Sequence, residues 1–237
     1  MTTTEAPTPE VFTKYPTLLR MGHRFETSIG QRLVVDGFYG AMDFAFGGDG
    51  WFYVLNRYDS NPDWMKIRIA VCNIDDEFPK NLEPLIDGKP QVKGTEEFFS
   101  AVFCDGDQKG TMYITDERAN KVIAMSTNTG DVTDTWGVQG DEPGQLNAPG
   151  GITYLPDGTM WIVSSRSSRV QHFTSKGEFI EGFGEVGSEP SQMSYPWGVA
   201  IDPVDGSVVV ADWRNDRVQR FTPGGELLQV IDELGRD

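Results

Sequence analysis

The sequence repeats itself at an interval of 47 to 48 residues, and this repeat restricts the fold more than any other feature. The segment from Gly151 aligns with the segment from Gly198 once one residue is inserted in the first turn. Residues 169–171 then match residues 217–219, and both triplets read Arg-Val-Gln. A fixed interval of this length is typical of folds that stack one supersecondary unit several times.

Two more copies of the same pattern lie upstream. Tyr113 takes the place of Trp161 in one copy, and Tyr53 lies 60 residues before Tyr113 in the other, which has longer segments at 59–64 and 80–95. Each copy reads as four short strands with alternating polarity, bounded by Gly, Asp and Asn. Four antiparallel strands in about 40–50 residues form one blade of a β-propeller. The sequence therefore predicts an all-β chain with about four blades.

The fourth copy resembles the NHL repeat, on the segments 198–202, 209–212 and 217–219 and on Phe221. The segments WGVQGDEPGQLNAPGGI and FGEVGSEPSQMSYPWGV resemble the linkers between NHL blades. The resemblance extends over about residues 37–237 and implies four-stranded antiparallel NHL-type blades. NHL propellers usually have about six blades, within the range of propellers in general. Most members of the family bind proteins or ligands, some bind RNA, and others are amidating lyases or lactone-type hydrolases.

The repeats divide the chain into a tail at 1–18, an orphan outer strand at 19–36, and blades at 37–96, 97–147, 148–195 and 196–237. Residues 24–30 resemble an outermost strand, but the fourth blade already has its own. We therefore expect an incomplete ring from which about two blades are missing. A smaller closed ring, or an assembly that covers the open edges, is the alternative. An open ring would expose Phe44, Phe46 and Phe52 and favour self-association.

Charge and hydropathy restrict the partners. The net charge of −16 opposes binding of nucleic acid, which requires Lys and Arg to displace counterions. The same charge opposes binding to anionic membranes. The sequence has no signal peptide and no apolar run long enough for a transmembrane helix, so we expect a soluble, cytoplasmic chain. Cys72 and Cys104 lie in apolar runs that predict buried free thiols.

No residue cluster carries a catalytic signature, and we expect no catalytic residue, no metal ligand and no cofactor. The two histidines, His23 and His172, cannot supply the three ligands that a catalytic zinc site usually has. His172 aligns with Arg220, at a position predicted to face solvent. The turn at 105–110 carries alternating carboxylates, which leaves calcium as an alternative to a simple hairpin.

Charged residues also recur at one place in the repeat. A carboxylate ends the second strand and a cation begins the third, which predicts ion pairs between Asp212 and Arg217 and between Asp116 and Lys121. Because both pairs occupy the same register in different blades, we interpret them as structural.

Aromatic residues supply the candidate ligand-binding positions. Tyr39, Phe99 and Trp197 precede first strands, which brings them near the central channel of a propeller, although packing between blades is the alternative. Tyr58 and Trp64 lie in the insertion at 57–66, where loop aromatics could anchor a partner.

The sequence thus favours a non-catalytic binding or scaffold propeller that engages a protein or a small ligand through its face and channel mouth. The alternative, by family analogy, is a calcium-assisted hydrolase or lyase, lactonase-like or amidating-lyase-like, with its site in the central channel.

Overall fold

A computed structural model describes residues 41–56, 68–73, 75, 77, 80–90 and 101–232. The predicted tail and orphan strand lie outside these residues, as do four of the candidate binding residues, namely Tyr39, Tyr58, Trp64 and Phe99. Within the described residues the fold is all-β, and the one helical element is a single 3₁₀ turn at Trp213–Asn215. The fold class expected from the repeat is therefore confirmed.

Four antiparallel sheets of four strands form the four blades, in chain order. Blade 1 contains β1 (Ala41–Phe46), β2 (Phe52–Asn56), β3 (Arg68–Cys72) and β4 (Lys80–Leu82), followed by the small hairpin β5 (Leu85–Ile86) and β6 (Lys89–Pro90). Blade 2 contains β7 (Ala101–Gly106), β8 (Thr111–Asp116), β9 (Lys121–Ser126) and β10 (Val132–Trp136). The sheets lie within the four repeats, and the blade boundaries themselves stay predictions.

Blade 3 contains β11 (Pro149–Tyr154), β12 (Thr159–Ser164), β13 (Arg169–Thr174) and β14 (Phe179–Phe183). A two-residue parallel ladder follows, made by β15 (Glu185–Val186) and β16 (Gln192–Met193). Blade 4 contains β17 (Pro196–Ile201), β18 (Val208–Asp212), β19 (Arg217–Phe221) and β20 (Leu227–Ile231).

The core forms where side chains of the second strand of a blade point alternately to the two neighbouring blades. In β12, Met160 and Ile162 pack toward blade 2, whereas Trp161 and Val163 pack toward blade 4. All four side chains are buried, because a strand between two blades has no solvent-facing side. We call the side that a blade turns to the next blade its forward face, and the opposite side its rear face.

Innermost strands pack against one another around the axis: β1 against β7, β7 against β11, and β11 against β17. Glycines permit the closest of these approaches. A Cβ atom on Gly151 would lie 2.7 Å from the backbone nitrogen of Val199, and one on Gly150 would lie 2.8 Å from the carbonyl oxygen of Trp197. Any other residue would push β11 and β17 apart.

The glutamine of the repeated Arg-Val-Gln triplet holds the linker between blades. Gln171 donates to the carbonyl of Gln145 (2.7 Å) and accepts from the Gly144 amide (2.8 Å). Gln219 does the same one blade later, toward Gln192 (2.7 Å) and Ser191 (3.0 Å). Both glutamines are buried, so their amide groups need these backbone partners.

The predicted ion pair of blade 4 is confirmed. Arg217 Nε donates to Asp212 Oδ2 at 2.8 Å, and the Asp212 side chain is fully buried. In blade 2, Asp116 faces Lys121 across the ladder, and its Oδ1 accepts from the amides of Arg118 and Ala119. Cys72 and Cys104 are buried thiols, as expected, and burial raises the pKa of the Cys104 thiol well above its usual value.

His172 differs from the expectation of a solvent-facing side chain. Its ring stacks on Trp161 at 4.5 Å between centroids, and its Nε2 lies 2.7 Å from Thr159 Oγ1. Nδ1 lies 3.5 Å from a carboxylate oxygen of Glu181 but makes no hydrogen bond. Stacking on a large aromatic neighbour, which Arg220 lacks in blade 4, accounts for the difference.

Candidate functional site

The first strands of all four blades line one central cavity of about 260 Å³. Its wall combines apolar side chains with two carboxylates, a mixture typical of ligand sites. The lining residues are Asp43, Phe44, Phe46, Phe103, Cys104, Asp105, Gly151, Ile152, Gly198 and Val199.

The two carboxylates bind the backbone of the neighbouring blade. Asp43 Oδ2 accepts from the Cys104 amide at 3.0 Å, and Asp105 Oδ2 accepts from the Tyr154 amide at 2.7 Å. Burial raises the pKa of both carboxyl groups above the ordinary value of 3.8 despite these hydrogen bonds. Because each group ties one blade to the next, the arrangement is first of all a structural contact at the channel wall.

A row of three aromatic rings starts at Phe103 on the wall of this cavity, and we call it the aromatic row. The ring centroids of Phe103 and Trp197 lie 5.6 Å apart, and those of Trp197 and Trp213 lie 6.2 Å apart. The Trp197 ring of blade 4 thus contacts blade 2, and the Trp197 backbone lies close to Gly150 of blade 3, where a Cβ atom would be 2.8 Å from the Trp197 carbonyl oxygen. Trp213, at the outer end of the row, is 59% exposed.

Arg214 extends the row toward solvent. Its guanidinium carbon lies 3.7 Å from the centroid of the Tyr195 ring and 5.8 Å from that of Trp213. Its backbone amide donates to the carbonyl of Ser194, which fixes the loop before β19 against the loop before β17. Cation–π contacts of this kind hold an arginine in a defined position while its donors stay available.

A hollow of about 410 Å³ lies beside the outer two rings of the row. Apolar and charged groups share its wall, which permits one apolar and one polar contact with the same ligand. Its lining residues are Trp197, Ala211, Asp212, Trp213, Asp216, Arg217, Val218 and Asp232.

The two tryptophans of the aromatic row, Trp197 and Trp213, have no aromatic counterpart in blade 3. At the registers of Trp197 and Trp213, blade 3 has Gly150 and the buried Ser165. Arg166 does recur at the register of Arg214, but without aromatic neighbours of this kind. A feature without which blade 3 folds is a better candidate for function than a repeated one.

Of the candidate residues from sequence, the structure describes Trp197 alone, and Trp197 lies in the middle of the aromatic row. Sequence reasoning missed Tyr195, Trp213 and Arg214. The repeat alignment holds a signal for Trp213, because tryptophan there replaces a serine of blade 3. The contact of Trp197 with Phe103 has no sequence signal, since it joins blades that are not neighbours.

Of the two carboxylates in the acidic turn at 105–110, Asp105 binds the next blade and Asp107 binds within the turn. Asp107 Oδ1 accepts from the amides of Lys109 (2.7 Å) and Thr111 (2.9 Å), and these bonds lower the pKa of Asp107. Among the described residues no group of three or more His, Cys, Asp or Glu side chains could hold a metal ion. The same described residues contain no helix that is long and apolar enough to cross a membrane.

These blades, arranged around a shared cavity, define a β-propeller of four-stranded antiparallel blades. The family model for the NHL repeat matches residues 193–221, so the chain contains an NHL repeat in blade 4. No curated protein sequence is similar enough to count as a match.

Solved propeller structures support the fold. A catalytically inactive histidine-to-alanine variant of virginiamycin B lyase from Staphylococcus aureus, with quinupristin, has a TM-score of 0.54 at 17% identity, covering 80% of this chain and 54% of that one. A streptogramin B lyase structure has a TM-score of 0.54 at 18% identity, with coverages of 83% and 55%. Hydrazine synthase of Kuenenia stuttgartiensis has a TM-score of 0.53 at 12% identity, with coverages of 86% and 52%. The chain therefore spans about half the length of the propellers that it resembles.

Proposed function

We propose that this chain is a non-catalytic binding propeller that captures a protein ligand on the face of blade 4, at the channel mouth. The observation that carries the proposal is the aromatic row with Arg214 at its exposed end. Trp, Tyr and Arg dominate the binding energy of protein interfaces. In this chain all three types meet on one face, next to a hollow of about 410 Å³.

The surroundings of the row indicate the chemistry of the ligand. Trp213 offers an exposed apolar ring, and Arg214 offers guanidinium donors beside it. A peptide segment with one aromatic or proline side chain next to a carboxylate satisfies both groups at once. The net charge of −16 disfavours long polyanions, so we expect a short segment with an isolated acidic group.

Selection from a displayed random-peptide library on the 237-residue chain tests the proposal. Peptides selected on the unmodified chain should bind the Trp213→Ala variant about thirtyfold more weakly, since losing a central aromatic contact costs about 2 kcal/mol. The matched control is Phe179→Ala, which removes an exposed aromatic side chain from the outer strand of blade 3. Peptide binding that Trp213→Ala leaves unchanged, or a selection without any specific binder, would contradict the proposal.

A second candidate is a calcium-assisted hydrolase or lyase with its site in the central channel. Two observations favour it: lyases are among the structurally similar propellers, and Asp43 and Asp105 line the cavity. Against it, one oxygen of each carboxylate already accepts a backbone amide of the next blade. Calorimetric titration with calcium separates the candidates, because this one requires calcium binding that Asp43→Asn abolishes.

A further inference from the structure

We propose that a hollow between the forward face of blade 1 and the rear face of blade 2 binds a free α-amino acid with an apolar side chain. The hollow has a volume of about 260 Å³ and lies between the turns at 47–51 and 107–111, which join the first and second strands of these blades. Trp213 and Arg214 lie in a turn between second and third strands, at the opposite end of the strands. The proposal therefore goes beyond the proposed function and rests on different residues.

Blade 2 has no side chain at one of the positions that fill the gap to the preceding blade. Gly106 has the register of Tyr154 in blade 3 and of Ile201 in blade 4. The Tyr154 ring stacks on Tyr113 of blade 2 at 5.3 Å between centroids, and Ile201 packs into the cluster shared by blades 3 and 4. A Cβ atom on Gly106 would point toward blade 1, at 3.8 Å from the Cβ of Ala45. A side chain at this position would therefore enter the hollow that Gly106 lines.

The same turn differs from the other blades at a second position. At the register of Lys109, blades 1, 3 and 4 carry Asp49, Asp157 and Asp205. Each of these aspartates accepts the backbone amide two residues further on, at 3.0 to 3.1 Å. In blade 2 Asp107 accepts the corresponding amide instead, at 2.9 Å. The turn of blade 2 therefore closes without a contribution from the Lys109 side chain.

Two side chains of blade 2 at the rim of the hollow keep their polar groups available. Among the described residues Lys109 makes no ion pair, not even with Asp107 of its own turn, and the side-chain amide of Asn128 makes no hydrogen bond. The position of Asn128 is fixed, because Lys80 Nζ donates to its carbonyl at 3.2 Å and its backbone amide donates to Ser126 Oγ at 3.3 Å. An ammonium group and an amide group on one rim are donors that suit a carboxylate.

Blade 1 contributes the opposite charge to the hollow. Asp49 Oδ1 accepts from the Trp51 amide at 3.1 Å, and Asp49 Oδ2 accepts from the Tyr53 hydroxyl at 3.0 Å. Each carboxylate oxygen can accept a further hydrogen bond, so the ammonium group of a ligand can bind here. Asp49 and Lys109 form no ion pair with each other, although both line the hollow. Two opposite charges on different blades match a ligand that carries both charges, as an α-amino acid does.

The floor and the size of the hollow restrict the ligand further. Ala45, Tyr53 and Met112 line the hollow with buried side chains, so the part of the ligand that enters deepest must be apolar. Pockets for drug-sized ligands have volumes of about 300–1,000 Å³, and this smaller hollow suits a single amino acid. A zwitterion adds no net charge to a chain of charge −16, whereas an anion would be repelled.

Isothermal titration calorimetry with L-leucine tests the proposal on the 237-residue chain. Two analogues of leucine separate the zwitterion from other ligands, because isocaproate has no ammonium group and isoamylamine has no carboxylate. We expect L-leucine to bind, and each analogue to bind at least about tenfold more weakly, since each loses one hydrogen-bonded charge.

Lys109→Met should weaken the binding of L-leucine at least about tenfold, and it should leave the melting temperature of the ligand-free chain unchanged. The matched control is Lys176→Met, which removes an exposed turn lysine of blade 3 and should leave binding unchanged. Gly106→Leu should abolish binding, because the new side chain would occupy the hollow. Circular dichroism shows whether each variant is folded, and Lys109→Met keeps the test valid if Gly106→Leu does not fold.

Three results would overturn the proposal. They are the absence of L-leucine binding up to about 10 mM, binding of either analogue as strong as that of L-leucine, and binding of L-leucine that Lys109→Met leaves unchanged. The proposed function is tested separately, since Trp213→Ala should still bind L-leucine and Lys109→Met should still bind the selected peptides.

Discussion

Arg217→Met should destabilise the chain far more than the same change at Arg169, although both arginines begin the third strand of a blade. Arg217 Nε donates to the buried Asp212, Nη1 donates to the carbonyl of Ser188 (2.9 Å), and Nη2 donates to those of Glu189 and Gln192 (both 2.8 Å). Arg169 makes no such hydrogen bonds within the described residues, because the position of Asp212 is occupied by Ser164 in blade 3.

The loss of stability in Arg217→Met depends on the hydrogen bonds that Asp212 retains. Removing one partner of a buried ion pair costs about 3–5 kcal/mol, since the other charge stays buried without compensation. Asp212 retains hydrogen bonds from the Ser194 amide, from Asn215 Nδ2 and from Gln219 Nε2. We therefore expect Arg217→Met to lower the free energy of unfolding by about 3 kcal/mol, the lower end of this range. For a chain of this length, such a loss corresponds to a melting temperature lower by about 6–12 °C.

Chemical denaturation with urea measures the free energy of unfolding, and methionine keeps most of the aliphatic volume of arginine. Arg169→Met is the control and should cost less than about 0.5 kcal/mol. If the two variants lose the same stability, the buried pair is not what anchors the linker, and the reasoning from hydrogen bonds fails.

Two further predictions concern the channel wall. Gly151→Ala should lower the free energy of unfolding by about 1–3 kcal/mol, because the new Cβ would lie 2.7 Å from a backbone atom of Val199. In the control Gly224→Ala, the new Cβ meets nothing closer than 3.8 Å. Equal urea midpoints for the two variants would refute this prediction. Burial raises the pKa of Asp105, so this carboxyl group binds a proton at a higher pH in the folded chain than in the unfolded chain. The contribution of Asp105 to the free energy of unfolding therefore increases as the pH falls through the folded pKa toward 3.8. The stability advantage of the unmodified chain over Asp105→Asn should therefore grow as the pH falls from neutral, and a difference that does not change with pH would contradict the sign.

Because the sequence repeats, the strands within each blade and their register could be predicted best. Trp161 and Tyr113, matched across the repeat, both lie buried on second strands, because a 48-residue interval preserves strand register and therefore the side to which each residue points. The pair of Asp212 and Arg217 followed from the same logic. Its two members are opposite each other on neighbouring strands, and this proximity is already implied by a hairpin of known length.

The site was less predictable because its contacts run between blades. Phe103 meets Trp197 across a third blade, and the distance depends on how closely glycine lets β11 and β17 approach. The position of His172 has the same origin, since its stacking on Trp161 could not be inferred from a comparison with Arg220. Register within a blade is a local property, whereas contacts at the axis depend on the packing of all blades together.

The glutamine contacts to the linkers determine where the chain can be divided. Gln171 and Gln219 each hold the linker that precedes their own blade, and Arg217 binds the same linker as Gln219. A blade that is to be transplanted into another propeller should therefore include the linker that precedes it. Residues 137–183 and 184–231 are two such segments, because each contains both its linker and the side chains that bind that linker. A graft cut at the first residue of β17 would instead leave Gln219 and Arg217 behind without the carbonyls to which they donate.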